Sequence, residues 1–361
     1  MKHPHASLSA LAMSFCIVSQ NAQPCSEIFV QDAASTLVSA RNFDFERGHG
    51  FVTYHPAGLT HAAQFAPPGT QPQQWTSRFA SLSFDVSLPA ADTGRGAVYA
   101  AGVDGINEAG LKVGTYVLRD STYPVQLRET ALDTASLMGY LLDQFDSVTA
   151  ALADLEAAPY RVVPTPVTIS SGQWGVALHL YLHDASGASA IVEYLDGQLR
   201  ITRNPAVAVL TNSTYQQSLQ ALERFRTSGS VPGSPESLDR FVRGAYYSAL
   251  TAAPASAREA VSSGFARIQV LAIPLTVNAV GAQGGTQWTI VTDIPARTVH
   301  FRTGRNPQIA SINLKLLASM KSLRKKVRVD LMRTDLVGDI SRLFFERATP
   351  QPTVTSIYDE E

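Results

Sequence analysis

Strands and helices arrive in separate blocks along this chain, which predicts an α+β layered domain rather than a doubly wound parallel sheet. Residues 25–118 and 174–210 are dominated by short strand patterns joined by turns, whereas helical spacing fills 215–226, 237–251 and 255–270 in succession. No repeat of roughly 20 to 50 residues and no long linker divides the chain.

The 361 residues are 45% hydrophobic, enough for a substantial single core. Twenty-nine Lys and Arg against 30 Asp and Glu leave a net charge of -1, which argues against nucleic acid or an acidic membrane surface as partner. No stretch approaches the roughly 18 apolar residues of a membrane span. A short apolar run, Leu8 to Val18, is followed by the polar segment SQNAQP, so residues 1–24 are expected to be an export signal with a short propeptide. The expected domain then covers 25–345, with a tail at 346–361. Removal of the leader would take Cys16 with it and leave Cys25 as the mature protein's one thiol, without a disulfide partner.

Taken in order, EIFV and STLVSARNFDF predict paired strands joined by a turn near Gln31 and Asp32. FVTYHP continues as a strand, and RFASLSFDVSL (78–88) alternates as a half-buried strand does. Asp104-Gly105 and Ala109-Gly110 predict two turns, and LKVGTYVL predicts a strand in which Gly114 admits a close neighbour. Two amphipathic helices follow, the first capped by Asp133 or Thr134 and the second by Ser147. From Trp174 to Leu210 the pattern is an antiparallel meander, with a hairpin signal at Asp196-Gly197. After the three helical stretches come a hairpin, TQWTIVTDIPARTVHFRT, and a strand, IASINLKL. Within the basic stretch 321–328, the run Arg324 to Arg328 is expected to be a solvated or subunit-facing strand, and the last dozen residues a frayed end.

The chemistry concentrates at Cys25. A thiol with a reference pKa of about 8.5 needs a base or a cation to become a nucleophile. If Cys25 were the first residue of a mature chain, its own α-amino group, with a reference pKa of about 7.7 to 8.0, would be that base. Arg41 would favour the thiolate and Asp44 would hold the amine. Three positions apart on one strand they would face opposite ways, so a bulge or turn is expected to bring them together. By residue type alone, a buried cysteine beside a surface ion pair explains the same residues.

Cys25, the Arg-Asn-Phe-Asp run 41–44, Asn107 in GINEAGL, Asn212 in VLTNSTY, Arg240 in SLDRF and the late TQWTIVTD together resemble the choloylglycine hydrolase family. That family holds penicillin V acylases and conjugated bile salt hydrolases among the N-terminal nucleophile hydrolases. The resemblance implies a four-layer αββα sandwich with two central antiparallel sheets and a cofactor-independent attack of Cys25 on a linear amide. It implies that Asp44, Arg41 and Arg240 are active-site charges and that Asn212 is an oxyanion donor, although Asn212 could instead cap the following helix and Arg240 could be a solvated helix residue. Asn107 is expected to be architectural.

Two departures narrow the reading. Where bile salt hydrolases carry an asparagine after GxNExGL, this chain has Tyr116 and Val117, expected with Phe45 at the oxyanion and substrate pocket. The interval from Asn212 to Arg240, 240 − 212 = 28 positions, is short where many members insert an assembly hairpin, so dimer and tetramer both stay open. With the leader, these features resemble the exported, periplasmic subgroup of Gram-negative bacteria, which implies penicillin V acylase-like action and cleavage of N-acyl homoserine lactones. Conjugated bile salts are the alternative substrate, and a non-catalytic binding protein on the same fold is the remoter one. The substrate expected is a small amide with an apolar acyl group. His179 and His183 are taken as strand residues rather than a metal pair, and Tyr54 and Trp75 join Phe45 and Tyr116 as aromatics that could line the pocket.

Overall fold

The computed structural model describes residues 25–31, 36–46, 48–89, 98–125, 128–169, 172–277 and 283–348. The expected leader, the turn at Asp32 and the tail beyond residue 348 lie outside the described residues; the start of the expected tail, 346–348, is instead the end of the helix Ser341–Ala348. Two sheets, each of eight strands, form the middle of the molecule.

The first sheet contains β1 (Cys25–Gln31) and β2 (Leu37–Phe45). The second holds β3 (Gly50–His55), β4 (Ser81–Pro89), β5 (Val98–Asn107), β6 (Lys112–Val117), β7 (Leu178–His183), β8 (Ser189–Leu195) and β9 (Gln198–Arg203). The first is completed by β10 (Val209–Leu210), β11 (Thr276–Val277), β12 (Gln283–Asp293), β13 (Thr298–Thr303), β14 (Asn306–Asn313) and β16 (Gly338–Asp339), and the second by β15 (Val327–Asp330). Spatial order is β10-β1-β2-β12-β13-β14-β16, with β11 beside β12, against β9-β8-β7-β6-β5-β4-β3-β15. All these pairings are antiparallel except β14 with β16.

Alternation dictates the layers, because every other residue of β1 and β2 must find cover on each side. The inner faces meet in one core in which Phe84 of β4 packs edge-on to Phe301 of β13 with ring centroids 5.3 Å apart. On the outer face of the first sheet, α3 (Tyr215–Ser228), α4 (Ser237–Leu250) and α5 (Ala257–Gln269) follow in succession, and Asn42 of β2 donates to Ile268 O of α5 at 2.9 Å. On the outer face of the second lie α1 (Thr134–Gln144) and α2 (Val148–Ala157), whose leucines form a second core with Leu180, Leu182 and Val192. This is the four-layer α+β sandwich.

Local signals are largely obeyed. Asp196 and Gly197 both have positive φ, 54° and 70°, as a two-residue hairpin loop requires. Ser147 accepts from Ala150 N to cap α2. Asn107 is architectural, its Oδ1 accepting from Gly110 N and Leu111 N while its Nδ2 donates to Leu142 O and Phe145 O.

Three expectations are corrected. Asp104-Gly105 is not a turn but the middle of β5, because the carboxylate of Asp104 is drawn inward by Arg41 and Lys112. The meander ends at Arg203: Val209–Leu210 crosses to the first sheet and pairs with Glu27 and Ile28. Leu314–Ser319 is a helix rather than the end of a strand, started by Asn313, whose side chain accepts from Leu316 N.

Candidate active site

Cys25 opens β1 with its side chain 3% exposed and its Sγ 3.8 Å from Asp44 O. Cys25 pairs with Phe43 and Glu27 with Arg41, so Cys25, Glu27, Arg41 and Phe43 share the face that looks at the second sheet. Ser26, Asn42 and Asp44 alternate to the helix-covered face. Arg41 and Asp44 therefore do lie on opposite faces of β2, and no bulge in β2 unites them. The site instead straddles the sheet at its end, where both faces are within reach of Cys25.

A bulge does occur, on the neighbouring strand. The register of β12 against β2 shifts between Thr286 and Trp288, which sets Thr286 opposite Asp44. The Thr286 hydroxyl donates to Asp44 Oδ1 and accepts from Ile273 N at 2.8 Å, so the carboxylate is held by a residue that is itself fixed. Asp44 Oδ2 is buried without a hydrogen-bond partner. Burial pushes the Asp44 carboxyl up to about 7, against the pull of Arg240, the Thr286 hydrogen bond and Arg41.

Arg240 reaches from α4 with every donor group engaged. Its Nη1 donates to Cys25 O (2.7 Å) and Ser26 Oγ (2.5 Å), its Nη2 to Asn212 Oδ1 (2.8 Å), and its Nε to Pro235 O (2.8 Å). It is fully buried, not a solvated helix residue. Asn212 Oδ1 also accepts from Cys25 N at 2.6 Å, and its Nδ2 donates to Val117 O at 2.9 Å. Asn212 thus ties the first residue of β1 to the end of β6. It does not cap α3, since Thr214 does so in a capping box with Gln217.

Arg41 is held from the other side. Its Nη1 donates to Val103 O and its Nη2 to Thr115 O at 2.6 Å, while its guanidinium lies 4.2 Å over the Tyr116 ring and 3.5 Å from Asp104. The Val103 carbonyl is presented by a second bulge, where Asp85 of β4 pairs with Gly102 and Phe84 with Asp104. Burial raises the Cys25 thiol; Arg41 opposes this, Asp44 adds to it, and the Asp44 backbone contact works with Arg41. A thiol so placed needs a base to ionise at neutral pH.

The cleft beside the thiol has a volume of 40 Å³ and an apolar wall of Phe43, Phe45, Val86, Leu88, Val117 and Trp174. A larger cavity of 230 Å³, lined by His55, His61, Trp75, Asp85, Asp143 and Lys326, lies under α1 on the outer face of the second sheet. Of the two, the smaller one is lined by both the Cys25 thiol and the Arg41 guanidinium. Phe45 and Val117 line this cleft. Tyr116 does not: it is fully buried under Arg41 with its hydroxyl donated to Glu27. Trp75 is displaced to the larger cavity, stacked on His61 and donating to Asp143 at 2.7 Å, and Tyr54 is buried in β3.

Sequence reasoning missed Thr286, Trp174 and Glu27. Thr286 opens the TQWTIVTD run and was legible as a hydroxyl beside a carboxylate's partner strand. Trp174 sits on a separate hairpin, Pro166–Ile169 with Gly172–Gly175, whose place over the cleft no local pattern announces. His183 Nε2 lies 2.6 Å from Glu27 Oε1 and His179 Nε2 faces Thr211 O at 2.8 Å, so the two imidazoles have separate partners. Among the described residues no cluster of three His, Cys, Asp or Glu is arranged to hold a metal, and no helix is long and apolar enough to cross a membrane.

The model of the linear amide C–N hydrolases, choloylglycine hydrolase family, matches residues 25–322. A penicillin V acylase of Pectobacterium atrosepticum is 35% identical over 182 residues, 48% of this chain, which spans about half (46%) of that relative's length. Among solved structures, the penicillin V acylase of Agrobacterium tumefaciens superposes with a TM-score of 0.72 at 24% identity, covering 89% of this chain and 96% of that one. A mutant conjugated bile acid hydrolase of Clostridium perfringens gives 0.69 at 17%, covering 87% and 98%; at these identities the two structures speak for the fold. With the family model spanning nearly the whole described domain, this chain belongs to the choloylglycine hydrolase family of linear amide C–N hydrolases.

Proposed function

We propose that the chain is an exported, penicillin V acylase-like amidohydrolase in which Cys25, freed as the first residue by a cut before it, attacks the amide of a substrate with an apolar acyl group. N-acyl homoserine lactones are included among its substrates. The observation that carries this reading is the Cys25 nitrogen: it lies 2.6 Å from Asn212 Oδ1 on a strand end already fixed by Arg240. An α-amine at that position would be oriented next to its own thiol.

The geometry supports the following steps. The amine takes the thiol proton, and Sγ adds to the carbonyl carbon. The tetrahedral oxyanion meets the second amide proton of Asn212 Nδ2, the first being given to Val117 O; such a donor is typically worth about 2.7 to 4 kcal/mol of barrier. The amine then protonates the leaving nitrogen, and water hydrolyses the thioester. Asp44, with its unpartnered Oδ2, and Arg240 flank the charge that moves.

Intact mass of the secreted protein is expected to begin at Cys25. A form that keeps Pro24 and still turns over would sink the mechanism. A side-by-side assay of penicillin V, long-chain acyl homoserine lactones and glycine-conjugated bile salts is expected to rank the bile salts last. Trp174→Ala, which opens the apolar wall, should shift the ratio of kcat/KM for long over short acyl chains by roughly tenfold toward the long ones; an unchanged ratio would remove Trp174 from the acyl pocket.

A further inference from the structure

Two residues along β1 from the thiol, on the same face, lies a carboxylate that the chemistry above does not use. Glu27 is completely buried between the sheets and its two oxygens take four donors. Oε1 accepts from Ser39 Oγ (2.8 Å) and is paired with His183 Nε2 (2.6 Å); Oε2 accepts from Lys112 Nζ (2.5 Å) and from the Tyr116 hydroxyl. Lys112, also fully buried, sits 2.9 Å from Asp104 Oδ2, and that same oxygen is 3.5 Å from Arg41 Nη1. The chain of contacts ends on Arg41, the cation beside Cys25.

We propose that Glu27 is a positioning residue for Arg41. Its carboxylate gathers Lys112 and Tyr116, Lys112 fixes Asp104, and Asp104 with the Tyr116 ring holds the guanidinium beside the thiol. The inference rests on the reading of Cys25 as the nucleophile. The cost of the arrangement argues for a role. Four ionisable groups, Glu27 and Asp104 against Lys112 and Arg41, are taken out of water together, and a hydrophobic filling of equal volume is often as stable or more so. The backbone is also shaped to admit it: a Cβ at Gly114 would come within 3.0 Å of both Lys112 Nζ and Glu27 Oε2. Although burial opposes it, Lys112 and His183 keep Glu27 ionised, well below the usual carboxylate range. His183 is itself held low by burial, against the pull of Glu27.

The test uses the sign of a shift. Glu27→Gln removes a negative charge near Cys25, and the field alone would lower the thiol pKa. Loss of positioning loosens Arg41, the main group opposing the thiol's rise, and would raise it. The groups facing Cys25 are otherwise Asp44 and Arg240, and those facing Glu27 are Lys112, His183, Asp104, Tyr116 and Tyr181, with Asp184 beyond; none of these is altered in Glu27→Gln. The rate of Cys25 alkylation by iodoacetamide, followed against pH by mass, gives the midpoint. A rise of roughly one unit in Glu27→Gln is expected, and a fall or no change overturns the proposal. Should Glu27→Gln fail to fold, Tyr116→Phe decides: it removes one donor to Glu27, keeps the ring under Arg41 and changes no charge, so a smaller rise supports positioning and an unmoved midpoint overturns it. Failure of the nucleophile reading is separate, since alkylation of the wild-type protein would then leave turnover intact.

Discussion

Cys25→Ser is expected to fold, to melt within a few degrees of the wild type, and to lose at least about a thousandfold in kcat. Serine fits the site, because the contact of the thiol with Asp44 O is long, 3.8 Å, and the backbone of Cys25 is bonded through its N and O. The hydroxyl is a far poorer nucleophile than a thiol under the same weak base, an α-amine of reference pKa about 7.7 to 8.0. Alkylation of the wild-type thiol should abolish turnover to the same extent. Residual activity above a tenth of the wild type in either experiment would move the chemistry away from Cys25 and favour a binding role for the domain.

Asp44→Asn is expected to remove most activity while changing how stability depends on pH. The carboxyl titrates at about 7 in the fold and near 3.8 when free, because burial outweighs the attraction of Arg240 and Arg41. An acid whose folded pKa is raised binds its proton more tightly when folded, so the unfolded chain ionises first and stability falls as pH climbs from about 4 to about 7. By linkage this one group costs on the order of 4 kcal/mol above pH 7. The melting-temperature difference between Asp44→Asn and wild type should therefore move in the variant's favour across pH 4 to 7 and level off above. A flat difference would show that the carboxyl is not carried through the titration by its burial. The same cost would explain why such a group persists only where activity needs it.

The hairpin at Asp196-Gly197, the cap at Ser147 and the succession of outer helices were legible because each depends on neighbours within a few positions. Of the site, Cys25, Arg41, Asp44, Asn212 and Arg240 were nameable through the family resemblance rather than from residue type alone, and the fold gathers all five at one end of β1 and β2. What escaped were relations between distant strands. Asp104-Gly105 carries a turn signature, yet the pull of Lys112 and Arg41 on Asp104 outweighs it. Trp75 and Trp174 are indistinguishable by type; one faces the outer cavity and the other the thiol because different hairpins carry them. The bulges at Val103 and Gln287, which aim a carbonyl at Arg41 and a hydroxyl at Asp44, are register shifts between paired strands, consecutive in the first case and far apart in sequence in the second, with no local signal.

The grip of Arg240 on the start of β1 has one further consequence. Chain ends usually fray, because the last residues gain more from freedom than from their few contacts. A mature chain beginning at Cys25 would begin inside a sheet, with its carbonyl on a buried guanidinium and its nitrogen on Asn212. Every one of these anchors comes from residues downstream of Cys25, so severing the bond before it would leave the first residue as still as the strand it heads. An end held this way spends no entropy on ordering when substrate arrives.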